Sequence, residues 1–218
     1  MSQQITISEA IGSVSALWTE APEARHGLLL AHGAGAGMHH VFMEELAELL
    51  MRRNITTLRY QFPYMEKGSR RPDYPNVLKA TIRGAWATAV SSRPQLTWFA
   101  GGKSMGGRIS SACAAEGQLP GLNGLVFFGF PLHPAGKPSI DRAAHLDQVS
   151  SRMLFLQGTR DRLADLALIT EVTSTLPTAT MHVVDGADHG FKVLKRSGRT
   201  DHEVMLELAD TAANWIVQ

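Results

Sequence analysis

One stretch limits what this chain can fold into more than any other: Gln95-Leu96-Thr97-Trp98-Phe99-Ala100-Gly101-Gly102-Lys103-Ser104-Met105-Gly106-Gly107-Arg108. It reads as a buried strand that ends on a glycine pair, turns sharply and restarts as a helix. Inside it, Gly102-Lys103-Ser104-Met105-Gly106 has the G-x-S-x-G spacing of a nucleophile elbow. A serine on a strand-to-helix turn takes a strained backbone conformation, and side chains two residues to either side are expected to collide with the turn. Glycines at both flanks relieve that crowding. Gly102-Lys103-Ser104 also matches the end of a phosphate-cradling loop, G-x-x-x-x-G-K-[ST]. That pattern requires a glycine where this chain has Thr97, inside the strand. The phosphate loop fails there.

The rest of the chain alternates strands and helices. Ile5–Ile7 and Val14–Trp18 are expected as antiparallel edge strands. His26 to His32 is a continuous apolar run suited to a parallel strand covered on both faces, ending in the glycine-rich Gly33 to Gly37. Helical spacing follows over Val41 to Met51, then a strand over Ile55 to Phe62 that Pro63 stops. A polar, basic loop occupies Met65 to Pro75, and Val77 to Val90 is helical. After the elbow come a helix over Met105 to Ala115, a strand over Leu122 to Phe130, and an irregular stretch with a short helix near Arg142–His145. Met153–Gln157 and Thr180–Val184 are strands, Leu163 to Leu176 is helical, and an amphipathic helix closes the chain over Asp201 to Val217. Such alternation predicts a mostly parallel sheet with helices on both faces, whose sites lie beyond the carboxyl ends of the strands. Length suits a single domain over residues 1–218.

Every residue with candidate chemistry falls at such a strand end. A serine needs a base to take its proton, and the base needs a third group to orient it. In this architecture the order is Ser, then an acid, then His, which Ser104, Asp161 and His189 satisfy. Taken singly, Asp161 reads as a turn residue or a helix N-cap, and His189 as an exposed loop histidine. Asp165 is a second candidate acid, expected inside the following helix. Asp188 adjoins His189 too closely to reach across its ring. An oxyanion on an attacked carbonyl needs backbone donors, here expected from Met105 N–H and Ala34 N–H.

Other constellations are poorer. Gly33 to Gly37 lacks a complete dinucleotide fingerprint, since its third position falls on Met38 or His40. His39 and His40 are adjacent and lack a surrounding ligand cluster, so no metal is expected. Cys113, the single cysteine, reads as a packing residue and fits a reducing compartment. His133 and His145 are candidates to line a pocket. Between Arg52 and Arg83 eight Lys/Arg face two Asp/Glu, which reads as a solvated face or an anion-attracting rim. Net charge is +1, which gives no general case for nucleic acid or a membrane surface. No apolar run approaches the roughly 20 residues of a membrane span, and the first residues show no secretory signal, so a cytoplasmic protein is expected.

The chain resembles the α/β-hydrolase superfamily, and more narrowly the small dienelactone-hydrolase-like proteins and bacterial relatives of the testis-expressed and nonspecific-lethal-complex subunit 3 group. The resemblance rests on Leu30 to Ala36, Phe62-Pro63-Tyr64-Met65, Gly101 to Arg108, Phe130 to Pro138, Gln157 to Asp161 and Asp188-His189-Gly190-Phe191. It implies an α/β-hydrolase fold: a three-layer αβα sandwich, a mostly parallel sheet of about seven or eight strands, and little or no lid. It also implies Ser104, Asp161 and His189 as a triad. The chain departs from the pattern after the acid, where Arg162-Leu163 replaces the more usual proline and an aromatic or small residue. Dienelactone enzymes proper carry a cysteine at the position of Ser104, so their substrate does not transfer. The expectation is a serine hydrolase acting without cofactor on a small-molecule ester, thioester or related acyl bond, in an open pocket bounded by the 63–75 loop and the 131–148 segment. The alternative is a non-catalytic interaction module on the same fold, docking through the basic loop.

Overall fold

The computed structural model describes residues 2–218. Eight strands form one sheet: β1 (Ser2–Ser8), β2 (Gly12–Thr19), β3 (His26–Ala31), β4 (Ile55–Tyr60), β5 (Thr97–Lys103), β6 (Gly124–Phe128), β7 (Arg152–Gly158) and β8 (Ala179–Val184). Their spatial order is β1-β2-β4-β3-β5-β6-β7-β8. The β1–β2 and β2–β4 pairs are antiparallel and the remainder parallel. Of the two strands expected at an edge only β1 lies there, because β2 sits between it and β4; β8 forms the opposite edge.

The helices are α1 (Val41–Met51), α2 (Pro63–Glu66), α3 (Pro75–Ser92), α4 (Met105–Ala115), α5 (Leu166–Ser174) and α6 (Asp201–Val217). Alternate strand residues face opposite ways, and the core divides accordingly. Leu29, Trp98, Leu125, Phe127 and Phe155 pack on one side with residues of α3, α4 and α5. Leu28, Leu30, Phe99, Val126, Phe128 and Leu156 pack on the other with α1 and α6. This is the three-layer α/β-hydrolase architecture, with no added lid domain. Among the described residues no helix is long and apolar enough to cross a membrane.

Several elements differ in extent from what periodicity predicts. Pro63 does not merely stop β4; it stands at the start of α2, where its missing N–H costs nothing. Strand β6 ends at Phe128 because Gly129 turns into the left-handed region at φ 74°. Helix α5 begins at Leu166, and Asp165 is its N-cap, accepting from Ala167 N–H and Leu168 N–H. Residues 163–165 are drawn out of the helix by tertiary bonds described below.

Because β3 leads to β4 on one side and β5 lies on its other side, the crevice between β3 and β5 is a switch point of the sheet. The loop after β3, the elbow after β5 and the loops after β7 and β8 all open at this same edge.

Candidate active site

Ser104 sits at φ 51°, ψ −117°, between β5 and α4. This is a conformation a non-glycine residue holds only when its surroundings over-determine it. The flanking glycines are needed for a reason different from the one the motif suggests. A Cβ on Gly102 would lie 2.0 Å from Ala31 O, and one on Gly106 2.5 Å from the same atom. The collision is thus with neighbouring strand β3, not with the turn itself. Close packing of β3 on the elbow sets the Gly33 loop beside Ser104.

His189, in the loop after β8, accepts at Nε2 from Ser104 Oγ at 2.9 Å. Its Nδ1 donates to Asp161 Oδ2 at 2.7 Å. Asp161, buried at the turn after β7, also accepts from Gln157 Nε2 at 2.6 Å and from Leu163 N–H at 2.7 Å. Asp161 caps no helix, and Asp165 is turned away as the α5 cap. The side chains of Ser104, His189 and Asp161 are therefore in one continuous hydrogen-bonded line.

Met105 is the first residue of α4, so its N–H has no partner within the helix. Ala34 lines the cavity above Ser104, and among the described residues its N–H donates to no protein group. Two bonds stiffen the loop that carries it: Gly35 N–H to Tyr64 Oη at 3.2 Å and Met38 N–H to Gln61 Oε1 at 2.8 Å. His32, fully buried at its root, donates from Nδ1 to Gly33 O at 2.8 Å and accepts at Nε2 from Phe62 N–H at 3.1 Å. Burial pulls its pKa down to about 4, so the ring is neutral.

The cavity holds about 330 Å³ and is lined by Gly33, Ala34, Ala36, His40, Phe42, Met43, Lys103, Ser104, Leu163, His189 and Gly190. The expected walls are not the actual ones. Neither the 63–75 loop nor the 131–148 segment contributes. The N-terminal turn of α1 covers the site instead, capped by His40 Nδ1, which accepts from Phe42 N–H. The 131–148 segment braces the acid loop: His133 N–H donates to Leu163 O, and His133 Nε2 accepts from Asp165 N–H, each at 2.9 Å. These bonds account for the late start of α5. His145 meets Ser111 on α4 at 2.8 Å, away from the cavity.

The basic stretch between Arg52 and Arg83 is not one face. Arg59 is buried on β4 and donates to Met38 O at 3.0 Å. Arg53 pairs with Asp210 and Lys79 with Glu116. Lys67 and Arg71 line a separate cavity of about 360 Å³ with Tyr64 and Tyr74. Cys113 is buried, its thiol pushed up to about 12 by desolvation. Among the described residues no group of three or more His, Cys, Asp or Glu side chains is placed to hold a metal ion.

Sequence patterns do not mark two residues at the site. Lys103 enters only the phosphate-loop pattern. Its half-buried side chain runs back under the base loop, where Nζ donates to His189 O at 2.5 Å and lies over the Phe42 and Phe191 rings. Desolvation draws its pKa down to about 8 against the opposing pull of Asp161 and Asp188. Gln157 bridges Asp161 to Phe130 N–H, which donates to Gln157 Oε1 at 3.0 Å. A charged residue at the end of an apolar strand, and an amide four residues before a candidate acid, were the available signals.

A family model described as the alpha/beta hydrolase domain matches residues 24–217. The chain belongs to that family. This α/β hydrolase is similar over nearly its whole length to solved structures that share its fold. An α/β serine hydrolase homologue from Coxiella burnetii superposes with a TM-score of 0.76 at 18% identity, covering 97% of this chain and 96% of that one. A dienelactone hydrolase from Anabaena variabilis gives 0.76 at 19% identity, with 100% and 96% covered. A lidless α/β serine hydrolase from Xanthomonas campestris gives 0.74 at 19% identity, with 99% and 95% covered. The family match and these superpositions establish the family and the fold of this chain and support a hydrolase function.

Proposed function

We propose that the protein is a serine hydrolase that cleaves a small-molecule ester, thioester or related acyl bond through an acyl-enzyme. The observation that carries this reading is the pair of hydrogen bonds at 2.9 and 2.7 Å joining Ser104, His189 and Asp161. Ser104 Oγ attacks the carbonyl carbon as its proton passes to His189 Nε2. Asp161 holds the ring in the tautomer that leaves Nε2 free to accept, and it stabilises the imidazolium that forms. The oxyanion is received by Ala34 N–H and Met105 N–H. Collapse breaks the bond to the leaving group, which takes the proton from His189. Water then enters on the same base and releases the acid. No step calls for a cofactor.

The apolar lining from Ala34, Ala36, Phe42, Met43 and Leu163 suits an acyl group of modest size. The single buried thiol suits a cytoplasmic setting. A docking role through Lys67 and Arg71 leaves the aligned Ser104, His189 and Asp161 without a purpose, and is the weaker reading.

The test is covalent labelling with a fluorophosphonate probe, followed by an ester and thioester panel of graded acyl length. The wild type is expected to label and Ser104→Ala to remain unlabelled. A folded wild type that labels no better than Ser104→Ala would sink the proposal.

A further inference from the structure

A second cavity adjoins the site. It holds about 330 Å³ and is lined by Arg160, Arg162, Asp188, His189 and Gly190. His189 and Gly190 are thus a rim common to two spaces of different character: the apolar cavity over Ser104 and this one, lined by two arginines.

The charges on the second wall are not all spent. Arg160 gives one N–H to Gly186 O at 3.0 Å and keeps its others. Arg162 is exposed and, among the described residues, makes no hydrogen bond or ion pair. It stands where the chain departs from the pattern it resembles, directly after the acid. Asp188 contributes the one opposing carboxylate, with Oδ1 committed to Gly190 N–H and Lys192 N–H. Lys192 is neutralised by Asp201 at 3.0 Å. Two cations against one anion leave the wall with net positive charge.

The direction of the reaction says which half of a substrate meets that wall. His189 Nε2 must reach Ser104 Oγ and then the leaving atom, so the leaving group lies against His189. With the acyl group in the apolar cavity, the leaving group passes over the His189–Gly190 rim toward Arg160 and Arg162. We infer that the preferred substrates carry an oxyanion, a carboxylate or a phosphate, on the alcohol or thiol half, held by Arg160 and Arg162. The inference rests on the hydrolase reading above and narrows its substrate class. Guanidinium forks suit both oxyanions, which accept two parallel N–H bonds.

The test uses matched esters of one short acyl group whose alcohols end in a neutral amide, a carboxylate or a phosphate monoester. The quantity read is the ratio of kcat/KM for charged over neutral ester. In the wild type it is expected at about tenfold or more, as charge-assisted hydrogen bonding provides. It should fall toward one in Arg160→Gln/Arg162→Gln, and shrink with added salt because both groups are exposed. A larger ratio for phosphate identifies that anion, and a larger one for carboxylate the other. A wild-type ratio near one, or a ratio unchanged in the double variant, overturns the inference. Should the double variant fail to fold, a wild-type ratio insensitive to salt overturns it equally. Fluorophosphonate labelling of the wild type keeps this separate from any failure of the Ser104 reading, since labelling requires no anionic group.

Discussion

The Lys103 ammonium lies 2.5 Å from the His189 carbonyl oxygen, so the residue before Ser104 holds the loop that carries its hydrogen-bond partner. The nucleophile strand and the base loop are joined twice over, once through side chains at the reacting atoms and once through this backbone anchor. Phe191, in the left-handed region at φ 59°, stacks on Phe42 with ring centroids 5.8 Å apart, and the same ammonium lies over both rings.

Lys103→Met should therefore loosen His189 without emptying the core. The rate of fluorophosphonate labelling is expected to fall by about ten- to a hundredfold, the cost of a reacting group displaced by about an ångström. Circular dichroism should stay native. Lys103→Gln, which keeps a donor, should recover part of the loss. Equal labelling rates in wild type and Lys103→Met would remove the positioning role.

Strain at Ser104 predicts a trade between stability and chemistry. Its φ of 51° and ψ of −117° suit glycine better than any residue with a Cβ. Ser104→Gly should be more stable than Ser104→Ala by about 1 kcal/mol, the low end for such a backbone site. Urea denaturation of the two variants, both unlabelled by the probe, measures the difference. Equal midpoints would mean that the elbow stores no strain.

How much of this could be read beforehand follows from what kind of information each residue carries. The elbow and the extents of α1, α4 and α6 are local patterns, and the structure has them where the pattern puts them. The cavity walls are not local. That α1 rather than the 131–148 segment covers Ser104 depends on how the Gly33 loop leaves β3. Residues 163–165 look helical by spacing, yet bonds from His133 and Asp161 hold them in a loop. Arg59 counts toward the basic stretch yet is buried, donating to a backbone carbonyl that no pattern marks.

Gln157 gives a prediction with a definite sign. Its amide donates to Asp161 Oδ2 at 2.6 Å. Gln157→Glu would put a second carboxyl group there, and two such groups cannot both ionise freely, so one proton is retained to higher pH. The acid limb of kcat/KM against pH should move to higher pH. Gln157→Leu instead leaves Phe130 N–H without its acceptor and should cost about 1–3 kcal/mol of stability. An acid limb unmoved in Gln157→Glu would mean that the amide does not govern Asp161.

His32 ties the acid stability of the fold to the loop that carries Ala34. Its neutral ring uses both nitrogens, donating to Gly33 O and accepting from Phe62 N–H. Protonation at Nε2 would set two donors against each other inside the core. The folded pKa is about 4 against an ordinary 6.5, so between these values the unfolded chain binds the proton and the folded chain does not. Stability therefore rises with pH across that window and is lost as pH falls through it. The size is about 3 kcal/mol, at 1.36 kcal/mol per unit of separation. His32→Gln lacks a titrating ring, so it should be less stable at pH 7 while its unfolding free energy changes less between pH 6.5 and pH 4. Parallel stability curves for wild type and His32→Gln across that range would show that the acid sensitivity lies elsewhere.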